Sequence, residues 1–227
     1  GSQVALRLSG PDIPDTVVLS AAGLIGLTGA NAAGVAVAVN TLLMLGHDPG
    51  GLPVAFALRH ALAARNGSEA QARLGGARHA SGQHYGIATR EGVTSVECSA
   101  GGCASVMLTA AGRLLHTNHP LASVDIDGTA LSRLDKGGFT GNSHRRLTWL
   151  QGREQALTGA DEVRALLDDP ESPICLRAER NSGSSTFASV LYEMTDQPRV
   201  SMRSGFAGSS AWRRIGFNAA ANEAIDA

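Results

Sequence analysis

Short segments with alternating apolar and polar positions dominate the N-terminal part of the chain. Residues 4–8 alternate in this way, residues 16–20 are a short β-branched segment, and the turn-forming stretch Pro-Asp-Ile-Pro at 11–14 lies between them. Two further segments, residues 24–28 and 35–40, are separated by a run of small residues rich in glycine. A period of two is typical of β-strands with one buried face. The pattern therefore predicts two β-hairpins in this region.

A helical period follows the two hairpins. Residues 53–65 begin with a proline and place Leu58 and Leu62 on one stripe, which predicts an amphipathic helix. Ser68, with Gln71 three residues later, has the spacing of a capping box and predicts the start of a second helix that ends at the glycine pair 75–76. Two more helices are predicted later in the chain, at residues 142–157 and 160–167.

The remaining apolar segments are predicted to be strands, and they lie apart from the helices in the sequence. We predict them at residues 85–89, 93–97, 104–108, 114–117, 174–177, 186–193 and 200–203. Strands segregated from helices favour an α+β fold with antiparallel sheets. Two sheets and two helical layers would stack as an αββα sandwich. We expect residues 3–218 to form a single domain and residues 219–227 to form a polar tail.

Composition and charge exclude several classes of function. The chain has 227 residues, of which 43% are hydrophobic and 17% charged, as in globular proteins. Its formal net charge of −1 provides no basic field for nucleic acid, and aromatic residues, at 4%, are too few for base stacking. Neither a transmembrane segment nor a signal peptide is visible. We therefore expect a cytoplasmic protein without nucleic-acid or membrane partners.

The three cysteines, Cys98, Cys103 and Cys175, are too few and too scattered to indicate a disulfide framework. Cys98 and Cys103 are separated by Ser-Ala-Gly-Gly, which is typical of a hairpin turn. None of the three has a histidine or lysine neighbour in the sequence that would lower its pKa. We expect them to be reduced and to pack as small hydrophobic side chains.

The most informative polar motif is His116-Thr117-Asn118-His119, at the end of a predicted strand. Two histidines at this spacing point to opposite faces of a strand, and no third ligand has a suitable spacing, so we predict no metal site. The motif is then either a plain strand end or the place where the Asn118 amide donates to an oxyanion that develops on a substrate.

Three other motifs have both a structural and a functional interpretation. The glycines of residues 23–34 match neither the dinucleotide-binding nor the P-loop spacing, which favours a closely packed hairpin. Residues 181–186 form a polar loop, which is either a turn or a lining for substrate. His144-Arg145-Arg146 is either a solvated helix face or an ion-pair anchor, with a weaker case for an anion site. The serine motifs of α/β-hydrolases and β-lactamases are absent from the sequence.

Taken together, these landmarks resemble the isopenicillin N acyltransferase family of N-terminal-nucleophile (Ntn) hydrolases. The likeness covers nearly all of residues 3–217. Five stretches carry it in family order: residues 22–40, the helix start from 51 with Leu58-Arg59, His116-Thr117-Asn118-His119, Ser143-His144-Arg145-Arg146-Leu147, and Ile174-Cys175 with the loop and strand that follow.

The resemblance implies a four-layer αββα Ntn fold and a precursor that cleaves itself before a cysteine. The thiol of that cysteine would attack an amide or thioester carbonyl, and the acyl-enzyme would pass its acyl group to water or to an amine. No cofactor is implied, although acyl-coenzyme A is a possible substrate. Asn118 falls on the oxyanion-binding asparagine. The substrate pocket would be lined by Ser182, Gly183, Ser184, His116 and Asn31.

The sequence departs from the family pattern in two ways. The nucleophilic cysteine of the family precedes the matching region and has no counterpart in this chain. Gly183 stands where the family has an arginine, which indicates a different acyl or amine group. We expect an amide hydrolase or N-acyltransferase whose cysteine lies outside this chain, on a short peptide of the same precursor. The alternatives are a relative without a nucleophile, which binds a small acylated ligand or a partner chain, and a hydrolase with another mechanism.

Overall fold

The computed structural model describes residues 2–178, 184–217 and 223–224 and shows an α+β fold with two antiparallel sheets. The larger sheet has seven strands in sequence order, each paired with its neighbours in the chain. These strands are β1 (Gln3–Gly10), β2 (Ile13–Ala21), β3 (Thr28–Asn31), β4 (Ala36–Thr41), β5 (Gln83–Thr89), β6 (Gly92–Ser99) and β7 (Gly102–Ser105). The predicted α+β class with two antiparallel sheets is therefore confirmed.

The smaller sheet has the order β11-β10-β9-β8. Its strands are β8 (Ala188–Glu193), β9 (Arg199–Ser204), β10 (Arg213–Arg214) and β11 (Glu223–Ala224). The sequence predicted only the first two of these. β11 pairs with β10, so part of the predicted polar tail extends a sheet instead of lying free.

Five α-helices complete the described parts of the chain: α1 (Val54–Leu62), α2 (Gly67–Gly75), α3 (Gly128–Lys136), α4 (Phe139–Gln151) and α5 (Ala160–Asp168). A short 3-10 helix, Glu154–Ala156, separates the last two. The sequence did not predict α3. No helix in the described residues is both long and apolar enough to cross a membrane.

The two faces of the large sheet bury different sets of side chains, as the period of two requires. Val18 and Val37 face α1 and α2, and pack against Leu58 and Leu62. Val17 and the other side chains of the opposite face pack against the small sheet, on Val200 and its neighbours. The large sheet thus lies between helices on one side and the small sheet on the other.

The start of α2 differs from its prediction by two residues. Asn66, not Ser68, is the N-cap, and its side chain accepts a hydrogen bond from the Glu69 backbone N–H at 2.9 Å. Glu69 reaches back to accept from the Arg65 backbone N–H at 2.7 Å. Asn66 and Glu69 thus have the spacing of a capping box, but the Glu69 carboxylate accepts from the residue before the N-cap and not from the N-cap itself.

Helix α5 is attached to the small sheet mainly by polar contacts, since none of its residues is buried. Arg203 of β9 is itself buried and forms an ion pair with Asp168 at the C-terminal end of α5. Its guanidinium also donates to the Leu167 carbonyl at 3.1 Å and to Ser189 Oγ at 2.8 Å. Trp212 donates from its indole N–H to the Asp168 carboxylate at 2.9 Å.

Three predicted strands are wrong. Residues 24–28 form mainly a turn in which Leu24 and Leu27 are exposed, and regular pairing begins at Thr28. Residues 114–117 and 174–177 have no strand structure. The segment between β7 and α3 is instead held by side-chain contacts, and it carries the candidate site.

The expectation of three reduced cysteines is also wrong, because Cys98 and Cys103 form a disulfide. The two residues are register partners on β6 and β7, so the predicted hairpin brings them directly opposite each other. Cys175 is a buried free thiol, as expected, and its sulfur accepts a hydrogen bond from the Ala207 backbone N–H at 3.3 Å.

Candidate active site around Asn118

Asn118 lies in the irregular segment that follows β7, between the end of β4 and helix α4. Its backbone N–H donates to Ser143 Oγ of α4 at 2.8 Å. The same hydroxyl lies 2.8 Å from His119 Nδ1 and 3.0 Å from Thr117 Oγ1. Ser143 is fully buried, so it fixes this part of the backbone to the helix. The Asn118 motif is therefore a loop anchored to α4 and not the end of a strand.

The side-chain amide of Asn118 has a defined orientation. Its Oδ1 accepts a hydrogen bond from Arg146 Nη2 at 2.9 Å, and its Nδ2 donates to the Thr41 carbonyl at 3.1 Å. A guanidinium can only donate and a carbonyl can only accept, so the amide cannot be flipped. One N–H of Nδ2 then has no partner within the described part of the chain. The residue is partly exposed, so this hydrogen is available to an incoming oxygen atom.

Arg146 holds this amide from within α4. Its Nε also donates to Asn142 Oδ1 at 3.2 Å, one helical turn earlier. Burial, and secondarily the charge of Arg145, lower the pKa of Arg146. Of the predicted His144-Arg145-Arg146 cluster, the first two residues are exposed, and only Arg146 is an anchor, with an amide instead of a carboxylate as its partner.

Glu97 of β6 holds the chain on both sides of Asn118. Its carboxylate accepts hydrogen bonds from His116 Nε2 at 2.8 Å and from the backbone N–H groups of residues 121, 122 and 123 at 2.6, 2.9 and 2.7 Å. The side chain is completely buried. Burial alone would raise the pKa of Glu97, but these four donors lower it to about 2. The Glu97 carboxylate is thus charged and buried, and its hydrogen bonds hold the loop on both sides of Asn118.

His116 is the cationic partner of Glu97. Its Nε2 faces the carboxylate, and its Nδ1 lies 2.7 Å from the Thr117 carbonyl oxygen, so both ring nitrogens face acceptors and both carry hydrogen. The side chain is 2% exposed. These contacts hold the loop in position. A role for His116 in lining the substrate pocket stays a prediction.

His84 lies against His116 in a parallel stack with ring centroids 3.6 Å apart. Its nitrogens contact Asn40 Oδ1 and Ser95 Oγ, both at 2.8 Å. Burial and the charge of His116 lower the pKa of His84 to about 3, so the ring is neutral. His119, with its ring centroid 3.7 Å from that of His144, has its pKa lowered to about 4, mainly by burial and secondarily by His144.

These two histidines predict acid destabilisation of the folded protein. Between pH 6.5 and the lowered pKa values, the unfolded chain binds protons at His84 and His119 that the folded chain does not. The free energy of unfolding should therefore fall with pH below 6.5, by up to about 1.4 kcal/mol per pH unit for each histidine. Urea denaturation at a series of pH values would measure this slope.

The matched variants for this measurement are His84→Gln and His60→Gln. The first should flatten the pH dependence, because it removes one of the protonatable groups. The second changes an exposed histidine and should leave the slope as it is in the parent protein. An unaltered slope in His84→Gln would contradict the neutral, buried state of this ring.

Asn31 lies away from Asn118, at the other end of β4. Its Nδ2 donates to the carbonyls of Leu62 and Ala64, both at 2.7 Å, and its Oδ1 accepts from the Val35 backbone N–H at 3.0 Å. The residue is fully buried. The six residues of β4 lie between this turn and Thr41, and a strand advances by about 3.3 Å per residue. Asn31 thus joins the β3–β4 turn to α1. Its predicted role in lining the substrate pocket stays a prediction.

The predicted substrate loop is described only in part. Ser182 and Gly183 lie outside the described residues, and Ser184 is exposed. The residues just after it are fixed to the chain at Leu176, where Thr186 Oγ1 accepts from the Leu176 backbone N–H at 2.8 Å. A role for these three residues in substrate binding stays a prediction.

The described residues contain one cluster in which histidine and cysteine atoms lie close enough to share an ion. The ligand atoms of His79, Cys98 and Cys103 are within 4.8 Å of one another. The two sulfurs are bonded to each other, however, so neither is a thiolate that could bind a metal. The cluster is considered below for its sulfur chemistry.

Sequence reasoning missed the residues that position Asn118. Arg146 was in a motif already noted, and Ser143 lies three residues before it, on the same face of one helix. Because the two side chains share one helix face, the sequence could have indicated that both contact the same segment. Glu97 gave no signal, because a carboxylate in a strand is equally typical of a solvated face, and its partners are 19 to 26 residues away in the chain.

The fold and the site together define an α+β protein that fixes the orientation of a carboxamide and leaves one of its N–H groups without a partner among the described residues. The chain matches the family model for acyl-coenzyme A:6-aminopenicillanic acid acyl-transferase over residues 16–205. This match covers most of the chain, so the protein belongs to that family, as the sequence motifs indicated. Asn118, Arg146 and Glu97 all lie within the matched region.

One curated relative is the 40 kDa form of acyl-coenzyme A:6-aminopenicillanic-acid-acyltransferase from Emericella nidulans. It is 29% identical over 197 residues, which is 84% of this chain and 53% of the relative. The chain thus spans about half the length of the relative that it matches. The activity named for that protein is a starting point for a proposal here.

Proposed function

We propose that this chain is the larger part of an Ntn-type amide hydrolase or N-acyltransferase. In this proposal an N-terminal cysteine, released by self-cleavage of a precursor and lying outside this chain, attacks a carbonyl group and forms an acyl-enzyme. The acyl group then passes to water or to an amine. The observation that carries the proposal is the Asn118 amide, fixed by Arg146 and Thr41 with one N–H facing outward.

Asn118 is suited to stabilise the oxyanion of that reaction. The developing charge on the carbonyl oxygen needs a donor that is already oriented, since reorganising a donor costs part of the stabilisation. Arg146 can only donate to the amide, and the Thr41 carbonyl can only accept from it. These two hydrogen bonds fix the amide, so its remaining N–H is oriented before the substrate binds. Glu97 and His116 contribute by holding the loop that carries Asn118.

The arrangement of layers supports the same proposal. Helices α1 and α2 cover one face of the large sheet, the small sheet covers the other, and α5 lies against β8 of the small sheet. This order is compatible with the four-layer αββα sandwich of Ntn hydrolases. The substrate would be a small amide or acyl donor, with acyl-coenzyme A as one candidate. Gly183, in the place of the family arginine, favours an acceptor other than the penicillin nucleus.

The deciding experiment is intact-mass analysis, under denaturing conditions, of the product expressed from the complete native gene. We expect two chains, one of them beginning with cysteine, and acyl transfer or hydrolysis in an assay that scans acyl-coenzyme A thioesters and N-acyl amides. A product without a second, cysteine-initiated piece would contradict the self-cleavage mechanism. It would favour a relative that binds an acylated ligand without catalysis.

A further inference from the structure

The disulfide between Cys98 and Cys103 has one buried side and one accessible side. Cys98, on β6, is fully buried, whereas Cys103, on β7, is exposed. Cys103 opens onto a surface cavity of about 430 Å³. The other residues that line this cavity are small or uncharged: Ser68, Gln71, Ala72, Gly75, Val96 and Ser105. A small thiol could therefore approach Cys103 but not Cys98.

A buried histidine lies beside the disulfide. His79 Nε2 is 2.9 Å from the Leu74 carbonyl oxygen and 3.8 Å from Cys103 Sγ. The carbonyl can only accept, so Nε2 carries the hydrogen, and the ring presents an N–H to the sulfur as well. On the other side of the ring, Nδ1 faces the Tyr85 hydroxyl at 3.4 Å. An N–H donor at this position would stabilise negative charge on Cys103 after the disulfide opens.

We propose that Cys98–Cys103 is a thiol–disulfide exchange site, with Cys103 as the sulfur that exchanges with small thiols and His79 as its hydrogen-bond donor. The thiolate of a small thiol such as glutathione attacks Cys103 Sγ, the Cys98–Cys103 bond breaks, and Cys98 leaves as a thiolate that takes up a proton. A second thiol then attacks the mixed disulfide, releasing Cys103 and an oxidised thiol dimer. Two thiols are oxidised, and one protein disulfide is reduced.

The position of the pair connects this chemistry with the rest of the chain. Cys98 lies between Glu97, which holds the Asn118 loop, and Ser99, whose hydroxyl donates to Asp125 at 2.6 Å. β7 ends at Ser105 and leads directly into that loop, where the Val106 backbone N–H donates to the Ser95 carbonyl at 2.9 Å. Opening the disulfide removes the covalent link between β6 and β7, the strand that leads into the Asn118 loop. The inference does not depend on the proposed catalytic function.

The experiment uses the purified 227-residue chain and the variants Cys98→Ser and Cys103→Ser. Each protein is incubated with a glutathione redox buffer, quenched with acid, alkylated and weighed by mass spectrometry. In the parent protein we expect no alkylation at either cysteine without reductant, and alkylation at both after incubation with excess reduced glutathione. Cys98→Ser should form a mixed disulfide at Cys103. Cys103→Ser should form no mixed disulfide with glutathione, because Cys98 is buried.

Three results would overturn the proposal. The first is alkylation of both cysteines in the parent protein without reductant, which would mean that the disulfide does not form. The second is a disulfide that glutathione does not open in the folded protein. The third is equal formation of the glutathione mixed disulfide in the two single variants, which would show that Cys103 does not react in preference to Cys98.

The contribution of His79 is tested in the Cys98→Ser background by the rate at which iodoacetamide alkylates Cys103 near neutral pH. Replacing His79 by Leu, which has no N–H to donate, should lower this rate by about tenfold, the effect of raising the thiol pKa by about one unit. Tyr85→Phe keeps the Nε2–H and should change the rate by less than about twofold. Equal rates in the two variants would exclude His79, and circular dichroism of each variant would establish that it is folded.

Discussion

Replacing Glu97 by Gln is expected to lower the free energy of unfolding by about 3–5 kcal/mol, the range found when one partner of a buried ion pair is removed. The carboxylate accepts from His116 and from three backbone N–H groups. An amide group is nearly the same size, but it replaces one acceptor with a donor that faces other donors. It also leaves the His116 cation buried without a counter-charge.

Chemical denaturation with urea would measure this change, with Glu69→Gln as the matched control. Glu69 also accepts from a backbone N–H and pairs with an arginine, but it lies on the surface of α2. Its replacement should lower the free energy of unfolding much less, because exposed ion pairs are screened by water. If Glu97→Gln unfolded at the same urea concentration as this control, the assignment of Glu97 as the buried charge that holds the loop would be wrong.

Replacing Asn118 by Ala is expected to lower kcat by about 10²–10³, with a smaller change in KM, in the complete gene product with its cysteine. The donated hydrogen bond strengthens as charge develops on the carbonyl oxygen, so its loss acts on the transition state more than on the bound substrate. Steady-state kinetics with an accepted acyl donor would give both constants. Thermal unfolding of the variant would separate this effect from a loss of folded protein.

Asn66→Ala provides the same substitution at a site remote from Asn118. Asn66 caps α2, so its loss should cost about 1 kcal/mol of stability without lowering kcat. An Asn118→Ala enzyme with the kcat of this control would remove Asn118 from the mechanism. The family assignment would still stand, but the oxyanion donor would have to be sought elsewhere.

Much of the fold could be predicted from the sequence where a local period determined the structure. β1 has an alternating pattern, β2, β5 and β6 are short segments with β-branched or apolar residues between turns, and α1 has its buried stripe at Leu58 and Leu62. Residues 24–28 are apolar too, but Gly26 packs against Leu58 and Val18, where a Cβ atom would be 3.1–3.2 Å from their side chains. A close approach of this kind depends on a helix from later in the chain, so the local pattern could not show it.

The candidate site was predictable only in its central residue. Asn118 stood out because it lies in a polar motif after an apolar run, and the family resemblance gave it a role. The strand predicted at residues 114–117 does not exist, and this part of the chain is held instead by side-chain contacts, such as that of His116 Nε2 with the Glu97 carboxylate. The disulfide was missed for a related reason. Counting cysteines does not reveal that Cys98 and Cys103 are opposite each other in a hairpin register.

The polar attachment of α5 has a consequence for the order in which parts of the molecule open. α1 buries Leu58 and Leu62 against the large sheet, whereas α5 buries no residue and depends on Arg203, Asp168 and Trp212. Directional bonds of this kind are lost together once one partner moves, and little apolar area resists the separation. α5 should therefore detach in local fluctuations that leave both sheets intact, so the protein has an outer unit with a much lower opening free energy than its core.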